Sequence, residues 1–177
     1  MSRKYKFHNP KGAYFISFAV RDWIDLFTRN EYKNILVENL AYCQKHKGLE
    51  IFAWCIMTNH VHLALRSIGE ETLQNILRDF KGYTSKLLIK AIKENPRESR
   101  KEFLLREFWD ENKQGYRLWR GDNKPIEIFS NHVIDQKINY IHNNPVEAGL
   151  VFRAEDYIYS SACNYAGEKG LLDVVLV

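Results

Sequence analysis

Leu49-Glu50-Ile51-Phe52-Ala53-Trp54-Cys55-Ile56-Met57, then Thr58-Asn59, then His60-Val61-His62-Leu63-Ala64-Leu65-Arg66, is the stretch that decides the fold of this chain. Two strand-like runs are separated by only two residues, so a tight antiparallel hairpin is the simplest connection. Alternation along the second arm sends residues i and i+2 to one face. His60 and His62 therefore point the same way, with Val61 opposite, where a strand normally keeps apolar side chains. Two convergent neutral imidazoles supply most of the protein ligands of a catalytic metal site. An HxH triplet also arises by chance, and lone histidines are usually satisfied polar residues, so the pair needs supporting residues elsewhere.

Upstream, residues 13 to 20 (Ala-Tyr-Phe-Ile-Ser-Phe-Ala-Val) follow the turn signal Pro10-Lys11-Gly12 and read as the first strand. From Asn30 to Lys47 the positions Ile35, Leu36, Leu40 and Cys43 recur at helical spacing, and Gly48 supplies a stop. Downstream, Glu71 to Glu94 carries Leu73, Ile76, Leu77, Phe80, Leu87, Leu88 and Ile92 at helical intervals before Pro96, a second and longer helix. Arg97 to Glu111 is heavily charged and reads as a solvated surface excursion. Tyr116 to Phe129 is strand material broken by a turn at Gly121 to Pro125, and supplies a fourth strand. After Ser130, an N-cap candidate, Val133, Ile134, Ile138 and Ile141 predict a third helix ending near His142 or Asn143, ahead of Pro145. A final helix is predicted from Ala154 to about Tyr165, and the apolar tail Leu171 to Val177 packs on the body or adds a strand.

The order strand, helix, strand, strand, helix, strand is the split βαβ, or ferredoxin-like, arrangement: an α+β fold with an antiparallel sheet and helices on one face. The HxH pair falls on a central strand. On the sheet face that the first two helices leave uncovered, it would look into a groove that a ligand or the third helix can enter.

At 177 residues and 45% hydrophobic content, the chain can bury one sizeable core, and residues 1–177 are expected to form a single domain with a helical extension from about residue 152. The net charge of +4 suits a nucleic-acid partner and many other soluble proteins equally, so it decides nothing alone. Ten tyrosines, ten phenylalanines and four tryptophans suit base stacking as well as core packing. Cys43, Cys55 and Cys163 are odd in number and form no CxxC, which argues against a disulfide framework and a zinc knuckle and for a reducing cytoplasm. The basic start Met1 to Phe7 lacks a following apolar region, and no run is long enough to span a bilayer. No export and no membrane partner are expected.

The supporting residues lie in Tyr140-Ile141-His142-Asn143-Asn144-Pro145-Val146. Cleaving a phosphodiester needs a nucleophile in line with the leaving oxygen and positive charge to hold the developing negative charge. A divalent ion held by two histidines supplies the charge. A tyrosine hydroxyl, with a free pKa of about 10, becomes a useful nucleophile when its surroundings favour the phenolate. Tyr140 is the candidate. On a helix Tyr140 and Asn144 share a face whereas His142 points elsewhere, which makes Asn144 a candidate third ligand. Two imidazoles and an amide oxygen leave open positions for phosphate oxygens and suit magnesium or manganese better than structural zinc. Asn143-Asn144-Pro145 also fits a helix terminus with amide caps, and both roles can hold at once.

In these residues the chain resembles the REP-associated tyrosine transposases, a branch of the single-tyrosine HUH transposases that act on single-stranded DNA. The resemblance covers most of the chain. It is carried by Trp54 to Leu65 with its HxH, by Phe80-Lys81-Gly82-Tyr83-Thr84-Ser85, by Asn131-His132-Val133-Ile134, and most specifically by Tyr140 to Val151. It implies that His60 and His62 are metal ligands, that Tyr140 takes a 5′ phosphate in a covalent bond, and that Asn144 is the candidate third ligand. Strand joining would then need no ATP, and the chain has no GxxxxGK[ST] phosphate loop. It further implies a partner of single-stranded DNA folded as hairpins. Asn rather than Gln four positions after the tyrosine, and a chain that continues well past that helix, set it apart from compact insertion-sequence relatives, and a monomer is expected rather than a dimer with exchanged tyrosine helices.

For DNA contacts, Lys81 and Lys86 in the second helix and Arg117, Arg120 and Lys124 near the fourth strand are candidate phosphate binders, with Trp119 or Tyr83 stacking an unpaired base. Each singly also fits a solvated charge or a core aromatic. A competing reading keeps the fold without the chemistry: a single-stranded DNA or RNA binding module using Tyr14, Phe15 and Phe18 on the sheet. The third strand lacks the Lys/Arg-Gly-Phe-Gly-Phe pattern that such a module carries. A domesticated chromosomal protein that keeps the chemistry for a host role is also compatible.

Overall fold

The computed structural model describes residues 7–121 and 125–177. Strand β1 (Ala13–Ala19) leads through a pinned turn to helix α1 (Asn30–Lys47), then to the hairpin of β2 (Leu49–Ile56) and β3 (His60–Ser67). Helix α1 stops at Gly48 for two reasons: the residue takes φ 65°, and a Cβ there would meet the Gly69 nitrogen at 2.6 Å. Helix α2 (Leu73–Glu94) opens on Thr72, whose hydroxyl accepts from Asn75 N–H at 3.3 Å.

The four-stranded sheet has the order β2-β3-β1-β6, where β6 is Ile126–Ile128, and its neighbouring strands are antiparallel. This is the split βαβ order expected of the sequence, with β3 and its histidines in the interior. A bulge at Phe52 shifts the β2 register, so that Trp54 faces Leu63 and Cys55 faces His62. On one sheet face Phe18 packs against Phe80 of α2, and α1 lies beside α2. On the other, Phe15 and His62 lie under helix α4 (Asn131–Glu147). Helix α4 buries Ile134, Ile138, Ile141, His142 and Pro145 at roughly helical spacing, and Ser130 caps it by accepting from Val133 N–H at 3.3 Å.

The structure departs from expectation in four places. Helix α4 runs through Pro145 instead of stopping at residue 142 or 143. Proline sits there in the last turn, and the helix closes behind it: Leu150 N–H donates to Pro145 O and Gly149 N–H to Val146 O, both at 2.9 Å, with Gly149 at φ 71°. The charged stretch after Arg97 is not a solvated excursion. It contains helix α3 (Lys101–Phe108), whose Leu104 and Phe108 are fully buried one turn apart, and Glu98 is buried between Arg29, Tyr32 and Arg100. The fourth strand is only three residues long. Gly115–Tyr116 (β5) instead pairs with Trp109–Asp110 (β4) in a separate ribbon, and Trp119 bridges to Val20.

The fourth departure lies at the C-terminal side. No helix fills Ala154 to Tyr165. A 3-10 turn at Ala154–Asp156 and a short helix α5 (Ala162–Tyr165) flank an extended piece along the outer edge of β2. There Ile56 N–H donates to Tyr159 O, and Ser161 N–H to Trp54 O, both at 2.9 Å. An open strand edge needs partners for its backbone groups, and Tyr157 and Tyr159 bury their rings on alternate positions while Ile158 stays exposed. The tail adds one further bond, Val175 N–H to Ile51 O at 2.9 Å.

Candidate active site

Helix α4 and strand β3 bring the sequence-derived candidates together. The His60 and His62 rings lie 4.6 Å apart between centroids, on the sheet face beneath α4. Tyr140 holds its ring 5.2 Å from that of His62 and 5.8 Å from that of Phe15, while about half of the residue, 47%, stays exposed. Asn144, one turn on, approaches both imidazoles closely enough to oppose the loss of proton affinity that burial imposes on them. His142 points away into the core, where Nε2 meets Ser161 Oγ at 2.8 Å.

The polar network fixes which atoms face the site. Asn59 Nδ2 donates to Asp25 Oδ1 at 3.0 Å and to the Trp23 carbonyl at 3.2 Å, both of them acceptors, so its oxygen must be the end that meets His60. His60 Nδ1–H therefore donates to Asn59 Oδ1 at 2.7 Å, leaving the Nε2 lone pair to act as ligand or base. The same reasoning orients Asn144: its Nδ2 donates to the Tyr140 carbonyl at 2.7 Å, which leaves Oδ1 for a ligand.

His62 is 4% exposed and stacks on Phe15 at 5.6 Å, and neither of its ring nitrogens has a hydrogen-bond partner. Burial, assisted by the neighbouring His60, pushes its pKa down to about 3, so the ring is neutral near pH 7. An unpartnered buried polar group costs about 1–3 kcal/mol, which a coordinated cation would offset. Among the described residues no group of three or more His, Cys, Asp or Glu gathers as a metal cluster. The donor set is two imidazoles and an amide, which fits a hard divalent ion completed by phosphate oxygens and water, and does not fit a closed zinc site.

Lys137, which the sequence reading passed over, belongs with these residues. Its ammonium sits 4.8 Å over the Phe15 ring and 6.0 Å from the Tyr140 ring, one turn before the tyrosine on the same helix. The spacing of three from Tyr140 was the available signal. Asn59 and Asp25 gave less warning, since Asn59 reads simply as a turn residue.

The proposed DNA contacts are more scattered. Trp119 is a core residue, 6% exposed, packed on Phe18 at 4.9 Å and donating from Nε1 to Thr84 Oγ1 at 3.4 Å, so it offers no face to a base. Lys81 donates to the Arg120 carbonyl at 3.0 Å and covers the Phe18 ring, tying α2 to the segment before β6. Tyr83 and Lys86 are exposed on α2, which packs on the sheet face away from the imidazoles, and Tyr83 lines a cleft with Tyr42 of α1. Arg117 is exposed. Arg120 places its guanidinium 5.4 Å from the ring of Trp23, whose other neighbour is the His60 ring at 5.8 Å. Lys124 lies outside the described residues. Among the described residues no helix is long and apolar enough to cross a membrane.

The family model described as "Transposase IS200 like" matches residues 13–144, a span that holds the sheet, both histidines, Tyr140 and Asn144. The chain belongs to the IS200-like transposase family. A solved structure of a REP-associated tyrosine transposase bound to a REP hairpin matches over 100% of this chain and 95% of its own, with TM-score 0.68 and 17% identity. The fold is that of this transposase. A candidate transposase from Deinococcus radiodurans R1 also aligns, with 21% identity over 80% of this chain and 97% of its own and TM-score 0.47. No curated protein matches the chain.

Proposed function

We propose that this transposase-family protein is a metal-dependent single-stranded DNA endonuclease and strand transferase of the REP-associated type, with Tyr140 as its nucleophile. The observation that carries the reading is the approach of Tyr140 to His62, a buried imidazole with both nitrogens unpartnered. His60 Nε2, His62 and Asn144 Oδ1 would hold magnesium or manganese, which when bound supplies positive charge against the phosphoryl oxygens. Tyr140 oxygen gives up its proton to solvent and attacks phosphorus, the bond to the 3′ oxygen breaks, and that oxygen takes a proton from solvent and leaves as a free 3′ hydroxyl. The 5′ phosphate stays on the tyrosine. Attack by a 3′ hydroxyl reverses the step, releases Tyr140 and rejoins a strand without ATP, because phosphodiester is exchanged for phosphodiester.

Lys137 adds a cation beside the nucleophile, suited to a phosphate oxygen. The matching transposase is bound to a REP hairpin, which supports hairpin-forming single strands as the substrate class. Because Tyr140 reaches the imidazoles of its own chain, a monomer is sufficient for the chemistry. The binding-only alternative draws less support: Tyr14, Phe15 and Phe18 are all buried, and α4 covers the sheet face that would carry stacked bases.

The test is cleavage of a labelled hairpin-bearing single-stranded oligonucleotide with manganese. His60→Ala with His62→Ala should abolish cleavage while retaining most DNA affinity, and duplex DNA should be left intact. Undiminished cleavage by the double variant would end the ion-clamp reading.

A further inference from the structure

Residues 20–27 pass from β1 to α1 beside the His60 end of the sheet. The segment is pinned at both ends. Val20 N–H donates to Asn59 O at 2.8 Å, Arg21 N–H to Leu118 O at 2.8 Å and Phe27 N–H to Thr58 O at 2.7 Å, while Leu26 and Phe27 are fully buried. Between these anchors Asp22 and Trp23 both take left-handed backbone, at φ 54° and 57°, although neither is glycine. Such conformations are strained for residues with a Cβ and persist only where the surroundings over-determine them. Asn59, the residue that orients His60, also holds the Trp23 carbonyl.

The effect is to display an indole rather than bury it. Trp23 is 51% exposed, its ring lies 5.8 Å from that of His60 at 72°, and the Arg120 guanidinium sits 5.4 Å from it. An exposed aromatic face beside a phosphate-handling centre is the chemistry that receives an unpaired base.

We propose that Trp23 is the stacking platform for an unpaired base of single-stranded DNA next to the phosphate handled at His60. The proposal rests on the reading of the Tyr140 site as one that takes single-stranded DNA. Stacking tolerates any base, so the platform positions the strand without reading its letters.

The test is fluorescence anisotropy of the full chain with labelled (dT)15 and with an abasic strand of equal length. Trp23→Ala should bind (dT)15 about tenfold more weakly and Trp23→Phe should retain most affinity, with the abasic strand bound equally by all three. Equal (dT)15 affinity in wild type and Trp23→Ala overturns the proposal. So does an equal loss on both strands, or no binding of (dT)15 by the wild type. Should Trp23→Ala not fold, indole quenching by (dT)15 decides: quenching lost in Trp23→Phe supports the platform, and unchanged quenching overturns it. A Trp23-dependent preference for bases over the abasic strand, together with no metal-dependent strand cleavage, would remove the cleavage reading and keep the platform.

Discussion

Asn59 and His60 share a 2.7 Å hydrogen bond in which the amide oxygen accepts from Nδ1–H, so the turn of the hairpin sets the tautomer of the strand's first imidazole. Asp25 and the Trp23 carbonyl hold the other end of that amide. A residue that looks like simple turn chemistry thus aims Nε2 at the site.

Asn59→Ala should weaken manganese binding about 10- to 100-fold, the usual effect of losing a group that orients a ligand. Asn59→Asp, which keeps an acceptor for Nδ1–H but sets a carboxylate against Asp25 and the Trp23 carbonyl, should recover little of it. Titration followed by electron paramagnetic resonance reads both, and identical affinities for wild type and Asn59→Ala would show that the amide does not orient the ring.

Lys137→Ala should slow single-turnover cleavage by about tenfold, on the order of 1.4 kcal/mol, because a cation beside the transferring phosphoryl group is lost. Lys137→Arg should recover most of the rate. An unchanged rate in Lys137→Ala places the ammonium outside the reaction.

Stability should fall with pH between about 6.5 and 3. His62 is held near 3 by burial and His60, while its unfolded value lies at 6.5. On acidification the unfolded chain takes up the proton first, so the native state loses about 1.4 kcal/mol per pH unit for this imidazole through that window. Stability rises again as pH returns to 6.5 and above. Urea melts at pH 7 and pH 5 should show His62→Gln losing about 2 kcal/mol less than wild type. Equal losses would show that His62 is not buried neutral.

Ile141→Ala, at a fully buried position on α4, should cost about 2–5 kcal/mol by cavity formation. Cleavage and manganese affinity should both fall, because the variant loosens the helix that delivers Tyr140 and Asn144 together. Thermal melts and metal titration on one preparation separate the two effects.

The hairpin was legible in the sequence because two residues of turn chemistry separate its arms, and the HxH spacing then fixed which face the imidazoles share. The tyrosine helix was legible from Ile134, Ile138 and Ile141, but its end was misplaced because the closure at Gly149 outweighs Pro145. What escaped depended on distant partners. Residues 157–161 are extended only because β2 presents an unpaired edge, although Tyr157 and Tyr159 alternate with exposed Ile158. Glu98 reads as surface charge until Arg29, far away in sequence, meets it. In the sequence Trp119 reads as a stacking residue, and Trp23 carries no signal of its own. Their exposures are the reverse, because Phe18 and Phe27 enclose the first while a strained turn expels the second.

The most direct test of the account is to trap the protein on a 5′-labelled hairpin oligonucleotide with manganese, digest it, and map the DNA-bearing peptide by mass spectrometry. The adduct should fall on Tyr140, disappear in Tyr140→Phe, and require manganese. A covalent adduct on any other residue, or one of undiminished yield in Tyr140→Phe, would contradict the meeting of this phenol with the imidazole pair.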